Sequence, residues 1–182
     1  MSDPIETLMA EHRLIEGVLA ALDAWAAALA AGDADRDDLP RFVRFIRDFA
    51  DAKHHAKEED ILFTVMADHG FPTQAGPIAV MLHEHDAGRA HVKVLAEATE
   101  GADWDASERA RLIEAARGFV SLLRQHIPKE DNVLYPMAVD RLPPEAMQRV
   151  AERCAAVEDE YARSKDGERL EALGRELIAR YS

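Results

Sequence analysis

Histidine and glutamate side chains recur in this sequence at spacings that could bind metal ions. The pattern His-x-x-x-Glu occurs twice, as His54 with Glu58 and as His126 with Glu130. On an α-helix this spacing places the two side chains one turn apart, about 6 Å along the axis and about 40° around it. Both can therefore reach one site. Imidazole nitrogen and carboxylate oxygen together suit iron, manganese and zinc.

The same residue types interrupt the apolar faces of the predicted helices. In the first helix His12 takes the step between Leu8 and Ile15, and in the third helix His85 takes the step that follows Met81. An unpaired polar group buried on such a face costs roughly 2 to 7 kcal/mol, and a buried charge costs more. No lysine or arginine lies on these faces to pair with the acids. A pair of metal ions would satisfy the carboxylates and the imidazoles together.

Helix caps and helix breakers predict the elements that position these groups. The fold class is all-α, an up-down four-helix bundle with one or two additional C-terminal helices. Pro128 and Pro136 are expected to kink the fourth helix and to end it near Pro136. We assign residues 1–142 to a metal-binding bundle and 143–182 to a helical extension packed on it. The predicted helices span residues 3–32, 37–69, 77–101, 107–140, 143–163 and 168–181.

An internal repeat supports the same arrangement. The segment HHAKEEDILFTVM, which begins at His54, aligns with HIPKEDNVLYPMA, which begins at His126, at a shift of 72 residues. The Glu-His pair at 11 and 12 recurs at 84 and 85, a shift of 73. Two helical hairpins packed with pseudo-twofold symmetry would bring these groups to the bundle centre, where bundles generally build metal sites from facing helices.

His12 and the segments HHAKEEDILF, MLHEH and HIPKEDNVLYPM together resemble the hemerythrin, or HHE cation-binding, family over about residues 5 to 140. The resemblance implies a non-haem centre of two iron ions (Fe2+ or Fe3+), joined by two bridging glutamates and by an oxo or hydroxo bridge. Zinc and manganese stay open, because sequence does not select among first-row metals. The metal ligands that the resemblance implies are His12, His54, Glu58, His85, His126 and Glu130.

A fifth histidine ligand is less clearly marked. Oxygen-carrying hemerythrins have a second histidine one turn before the position of His85, and here that position holds Met81. His55, beside the apolar face, is our predicted fifth ligand, although a capping or surface role explains it equally well. His83, His69 and His91 are predicted to lie away from the centre.

Three further polar residues adjoin the predicted ligands. Glu59 and Asp131 directly follow the two bridging acids. They are expected either to face solvent or to accept a proton from a ligand imidazole and so fix its tautomer. Tyr135 is most simply a packing residue, and its hydroxyl could also hydrogen-bond a ligand of the metal.

Composition limits the partners and the compartment. The formal net charge is −13, with basic residues spread among acids, so neither nucleic acid nor an anionic membrane is an expected partner. Cys154 is the only cysteine, which excludes an internal disulfide and a thiolate metal cluster. The N-terminal residues do not form a signal-peptide pattern. We therefore expect a cytoplasmic protein.

Two classes of function follow, and whether the protein is an enzyme stays open. The first is a protein that binds or senses dioxygen, nitric oxide or iron, because a ligand set rich in neutral imidazole favours holding O₂ over cleaving it. The second is a small di-iron enzyme that reduces nitric oxide, hydrogen peroxide or related species, because Met81 could leave an open coordination position. Iron-sulfur cluster repair is less favoured, since no cysteine-bearing N-terminal segment is present. The expected partner is a small diatomic ligand or a peroxide, and a homodimer is also open.

Overall fold

Helices account for nearly all of the protein. The computed structural model describes residues 3–101, 103–164 and 167–182, and in these ranges the chain forms six helices and no strand. The first four form the bundle and a single turn of 3₁₀-helix, Ala98–Glu100, extends the third. The all-α prediction is confirmed. The helices are α1 (Pro4–Ala31), α2 (Asp38–Arg44, Phe45–His55, Lys57–Phe63 and Thr64–Asp68), α3 (Gly76–Glu97), α4 (Ala106–Lys129, Glu130–Leu134 and Tyr135–Arg141), α5 (Pro144–Arg163) and α6 (Gly167–Arg180).

Local sequence signals explain where α1 begins and ends. The Asp3 carboxylate accepts a hydrogen bond from the backbone N–H of Ile5 at 2.8 Å, which satisfies one of the free donors of the first turn. Gly32 ends the helix with a φ of 88°, a left-handed conformation that costs glycine little.

Parts of α2 and α4 are wound more widely than an α-helix. Phe45–His55, Lys57–Phe63 and Glu130–Leu134 are π-helical, as when the N–H of Ala56 bonds the carbonyl of Asp51 five residues earlier. Such turns hold more residues than the 3.6 of an α-helix, so consecutive side chains are separated by a smaller angle. Neighbouring residues on these segments can therefore face the same side.

The prolines of α4 act differently from the prediction. Pro136 lies in the first turn of Tyr135–Arg141, where a missing N–H is tolerated, and the helix continues through it to Arg141. The expectation that the helix ends near Pro136 was wrong. Pro128 lies inside the regular segment Ala106–Lys129, and the change to wide turns begins just after it.

The buried apolar side chains form two clusters, one on each side of a polar layer. We call them the Trp25 cluster and the Met66 cluster, after a fully buried residue of each. On α1, Leu8 belongs to the Met66 cluster and Ile15 to the Trp25 cluster, and His12 lies between them. The polar layer is therefore enclosed by apolar packing at both ends.

The fully buried apolar residues of each C-terminal helix join one cluster. Ala146, Val150 and Cys154 of α5 join the Met66 cluster, and Leu170 and Leu177 of α6 join the Trp25 cluster. Burial raises the pKa of the Cys154 thiol to about 11. Both helices thus pack on the bundle as parts of its core.

Among the described helices α1 is the one whose length and apolar composition could cross a membrane. Its apolar face packs into both clusters, and a buried core helix passes the same test. The length and composition of α1 are therefore weak grounds for a membrane span.

Candidate metal centre

Seven histidine and glutamate side chains meet in the polar layer, and all are buried. They fall into two groups, and within each group one ligand atom per residue lies within 4.8 Å of the others. All seven were predicted from the sequence, and the structure brings them together, although their role as metal ligands stays a prediction. The two-histidine group contains His12, His54, Glu58 and Glu130, and the three-histidine group contains His55, His85 and His126.

The two glutamates lie between the groups. Glu130 Oε2 is 3.3 Å from His12 Nε2 and 3.0 Å from His126 Nε2, so this acid faces one histidine of each group. Glu58 Oε2 is likewise 3.6 Å from His54 Nε2 and 3.5 Å from His85 Nε2. Each glutamate therefore lies where it would be shared between two ions, one held by each group.

The glutamate oxygens provide a test of whether a metal pair fits. Among the described residues, Glu58 Oε2 and both Glu130 oxygens are buried without a hydrogen-bond partner. The remaining oxygen, Glu58 Oε1, accepts from the Tyr135 hydroxyl, whose ring stacks on that of His12. Three buried acceptors without donors are costly unless a cation lies among them. The donor set suits iron, manganese or zinc, so the residues fit two such ions.

Each of the five histidines is oriented by a carboxylate at its other ring nitrogen. Four Nδ1 atoms donate to acids on a neighbouring bundle helix, at 2.6 to 2.9 Å. This contact fixes the proton on Nδ1 and leaves Nε2 free to bind a metal ion. The supporting carboxylates are Glu11 for His54, Glu59 for His85, Glu84 for His126, Asp131 for His12 and, at 3.3 Å, Asp51 for His55.

The four interhelical contacts form a closed ring. An acid of α1 accepts a hydrogen bond from a histidine of α2, and an acid of α2 accepts one from a histidine of α3. In the same way an acid of α3 accepts from a histidine of α4, and an acid of α4 accepts from a histidine of α1. The internal repeat explains this order. In each hairpin an acid precedes the ligand histidine of the first helix, as at Glu11 and Glu84, and an acid follows the ligand glutamate of the second helix, as at Glu59 and Asp131. For Glu59 and Asp131, the structure shows the imidazole contact and not the solvent-facing alternative.

Basic residues contact all five supporting carboxylates. Arg13 pairs with Asp131, Lys129 pairs with Glu84, and Arg89 pairs with both Asp51 and Glu59. These three cations are 38 to 56% exposed.

Glu11 pairs instead with Lys53 and Lys57, which are 4% and 0% exposed. Reasoning from the sequence missed both lysines, because they lie beside the apolar face and lysine is rarely buried. The basic residues behind the histidines are therefore of two kinds: three that are partly exposed and two lysines that are buried.

The pKa values differ sharply within the centre. Burial lowers the pKa of His54 to about 4 and that of His55 to about 3, so both rings are neutral at pH 7. For His85, burial is outweighed by the nearby carboxylate of Glu130 and by the hydrogen bond to Glu59, and its pKa is raised to about 10. Burial and the nearby Glu130 raise the pKa of Glu58. Without metal ions, the proton on His85 thus offsets part of the charge of the carboxylates.

A cavity of about 270 Å³ reaches the histidines from one side. The rings of His55, His85 and His126 line one part of it, and it also touches His12 and His54 of the other group. The rest is largely apolar, with Ile15, Ile46, Val92, Phe119 and Leu123 in its wall. A small molecule could approach the Nε2 atoms through this space.

Comparison with known proteins assigns the family. The profile of the Hemerythrin HHE cation binding domain matches residues 3–138, most of the chain. The chain belongs to the hemerythrin HHE cation-binding family. The resemblance seen in the sequence is confirmed, and the histidine and glutamate cluster lies within the matched residues.

Curated relatives of this hemerythrin-family chain carry names that refer to iron-sulfur clusters. The Iron-sulfur cluster repair protein YtfE of Pectobacterium carotovorum subsp. carotovorum is 34% identical over 91 residues, 48% of this chain and 41% of that protein. The protein of that name from Yersinia pseudotuberculosis is 38% identical over 96 residues, with the same coverage. The Probable iron-sulfur cluster repair protein of Haemophilus influenzae is 33% identical over 113 residues, 58% of this chain and 50% of that protein. The chain spans about half the length of these relatives or less, and no solved structure matches it significantly.

The hemerythrin pattern is altered at one histidine. Met81 is buried in the Met66 cluster, and the third ring of the three-histidine group comes from His55. His55 stacks on His85 with ring centroids 3.8 Å apart. The wide turns of Phe45–His55 explain how both His54 and His55 face inward from consecutive positions.

The other three histidines lie outside the centre, as expected. His69 contacts the carbonyl of Val65 at 2.8 Å near the end of α2, and His83 is exposed. His91 packs over Gly118, where a Cβ atom would come within 2.5 Å of the His91 ring. None of the three belongs to either group of candidate metal ligands among the described residues.

Proposed function

We propose that this protein holds two iron ions and reversibly binds dioxygen or nitric oxide at them, as a carrier or sensor in the cytoplasm. One observation carries the proposal: five buried imidazoles converge on two buried carboxylates, and three of the four carboxylate oxygens lack donors. A set dominated by neutral imidazole leaves the ions less electron-rich than a carboxylate-rich set would, which favours holding a diatomic ligand over cleaving it. The single cysteine, which is buried, is consistent with a reducing compartment.

The residues of the chain have separate tasks in this proposal. Bound iron would supply the electrons that a diatomic ligand accepts on binding. The supporting carboxylates hold each imidazole in one tautomer and one orientation. Tyr135 donates to Glu58 Oε1, which leaves Oε2 directed at the histidines. The apolar wall of the cavity limits the access of water.

Anaerobic reconstitution with iron(II) tests this proposal. We expect about two iron ions per chain, and an absorption change in air that reverses under argon. Glu58→Ala should lose both properties, whereas Glu145→Ala, at an exposed acid of α5, should keep them. Fewer than about one iron ion per chain, or no reversible absorption change with either gas, would contradict the proposal.

The size of the cavity favours a second candidate, a small di-iron enzyme that reduces nitric oxide or hydrogen peroxide. A water molecule needs about 10 to 15 Å³ of such space, so a cavity of about 270 Å³ is much larger than one diatomic ligand requires. The test is consumption of hydrogen peroxide or nitric oxide in the presence of an electron donor. Many turnovers per chain, lost in Glu58→Ala, would support the enzyme, and uptake that stops at one equivalent would exclude it.

The names of the relatives raise iron-sulfur cluster repair as a further role to test. The form of repair to be tested is donation of iron from the centre of this chain. Incubation of the iron-loaded protein with a metal-free iron-sulfur protein measures such transfer directly. Retention of both ions by the loaded chain would count against repair.

A further inference from the structure

We propose that Glu158 of α5 is a positioning residue for the metal centre, because it neutralises the two buried lysines that contact Glu11. Glu158 lies outside residues 3–138, the part of the chain that the family profile matches. The inference rests on the proposed metal binding and assigns a role in it to the C-terminal extension.

Four charged side chains form a compact cluster behind His54. Glu158 contacts Lys57 Nζ through one carboxylate oxygen and lies 3.0 Å from Lys53 Nζ through the other. The two lysines also meet on Glu11 Oε1, at 2.6 Å for Lys57 and 3.0 Å for Lys53. Glu11, Lys53 and Lys57 are each at most 7% exposed, whereas Glu158 is 34% exposed at the edge of the cluster.

The charges of this cluster sum to zero only when Glu158 is included. Lys53 and Lys57 contribute two positive charges, and Glu11 and Glu158 contribute two negative charges. Among the described residues, both lysines pair with the same two carboxylates. Without Glu158 the cluster would retain one uncompensated positive charge in a buried place, which is strongly unfavourable.

Glu11 transmits this imbalance to the metal centre. Its Oε1 atom serves the two lysines, and its Oε2 atom accepts the Nδ1 hydrogen bond of His54 at 2.9 Å. If Glu158 is removed, Glu11 becomes the only anion for both lysines. It should then turn toward them and support the His54 ring less well. The two-histidine group would lose the orientation of one of its ligands.

The packing of α5 fixes Glu158 in place. Ala146, Val150 and Cys154 bury one face of the helix in the Met66 cluster, and Cys154 lies one turn before Glu158. Farther along, the Tyr161 hydroxyl donates to the carbonyl of Asp48 on α2 at 2.6 Å. Glu158 is therefore held between contacts on both sides.

Release of iron(II) to a colorimetric chelator under argon tests the proposal on the full chain loaded with iron. In Glu158→Gln we expect one of the two ions to leave about 10- to 100-fold faster, the range by which metal affinity falls when a histidine ligand loses its partner, because Glu11 should turn away from His54. The other ion should leave at the wild-type rate. Glu160→Gln, at an exposed acid on the same helix, should leave both rates unchanged.

A compensating variant separates charge balance from general damage. Adding Lys53→Met to Glu158→Gln removes one positive and one negative charge together, and should restore the release rate to within about threefold of wild type. A second measurement needs no metal: the ¹⁵N NMR signal of His54 Nδ1–H in the metal-free protein should shift in Glu158→Gln and return in the double variant.

Two results would overturn the inference. One is wild-type release rates together with an unchanged His54 signal in Glu158→Gln. The other is equal acceleration of both ions that Lys53→Met does not reverse, since that would indicate loosening of the whole bundle. A wild-type protein that keeps two ions but binds neither gas would contradict the proposed function alone. If the wild-type protein does not retain the ions, the His54 NMR signal of the metal-free protein still tests whether Glu158 positions the His54 ring.

Discussion

The two groups of candidate metal ligands differ most in what lies behind their histidines. Behind His54, the supporting Glu11 contacts two lysines that are almost fully buried. Behind His126 the supporting Glu84 contacts Lys129, which is 39% exposed. The three-histidine group also lines the cavity with all of its rings.

This difference indicates a division of roles between the two groups. Charged contacts between exposed side chains contribute little, because water screens them. A buried charge cluster must keep its balance, since any unpaired member is costly. The two-histidine group should therefore depend strongly on its surroundings through His54, and the three-histidine group mainly on its own ligands.

Loss of Glu130 should have the largest effect, because this carboxylate faces a histidine of each group. In Glu130→Ala we expect metal content to fall from about two ions per chain to near zero, since both sites lose a ligand. Elemental analysis after anaerobic reconstitution measures this. Retention of one full ion would show that the groups are more independent than the bridging geometry implies.

Loss of His55 should affect one group alone. In His55→Ala the three-histidine group keeps two imidazoles, while all members of the two-histidine group remain. We expect about one ion per chain. His83→Ala, at an exposed histidine, is the matched control and should retain about two. An unchanged content in His55→Ala would mean that His55 packs beside the site without binding metal.

Metal uptake should release protons from both groups. In the metal-free protein His85, with a pKa of about 10, is protonated at pH 7, and burial and Glu130 raise the pKa of Glu58. Metal binding must displace the proton of His85, so affinity should rise with pH by about tenfold per unit from this group, and more steeply below the raised pKa of Glu58. His54 and His55 add no proton demand above about pH 5.

Calorimetric titration in buffers of different ionisation enthalpy counts these protons. At pH 7 His85→Gln should release about one proton fewer than wild type, because an amide carries no titrating proton. A proton count that does not change with this substitution would place the titrating group elsewhere.

The smallest effect is expected at Lys129. Its contact with Glu84 is partly exposed, and exposed ion pairs contribute about 0.2 to 1 kcal/mol. Lys129→Gln should therefore change iron release by no more than about fivefold. The chelator assay used for Glu158→Gln gives the direct comparison. An effect as large as that of Glu158→Gln would remove the contrast between the two groups.

Spacing and apolar periodicity were enough to predict the bundle and six members of the centre. His12, for example, occupies a step that only an inward-facing side chain can fill. The inward direction of Glu58 follows from the same rule. These predictions depend on local helix geometry, which the sequence reports directly.

The rest depends on contacts between distant parts of the chain. The place of His55 was left open because an angle of about 100° per residue, as in a regular α-helix, turns it away from His54. The burial of Lys57 depends on Glu158, 101 residues later in the chain. The pairing of Asp131 with His12 spans 119 residues. Periodicity and spacing within one helix do not indicate which residues of distant segments come into contact.

The ring of supporting carboxylates ties completion of the centre to the docking of all four bundle helices. Each bundle helix both provides an acid to the next helix and receives one from the previous helix. A partly folded chain with one helix undocked would leave two histidines without orientation, one on the missing helix and one on its neighbour. Metal capture can then serve as a checkpoint of folding, because only the fully closed bundle presents all of its imidazoles in the right tautomer.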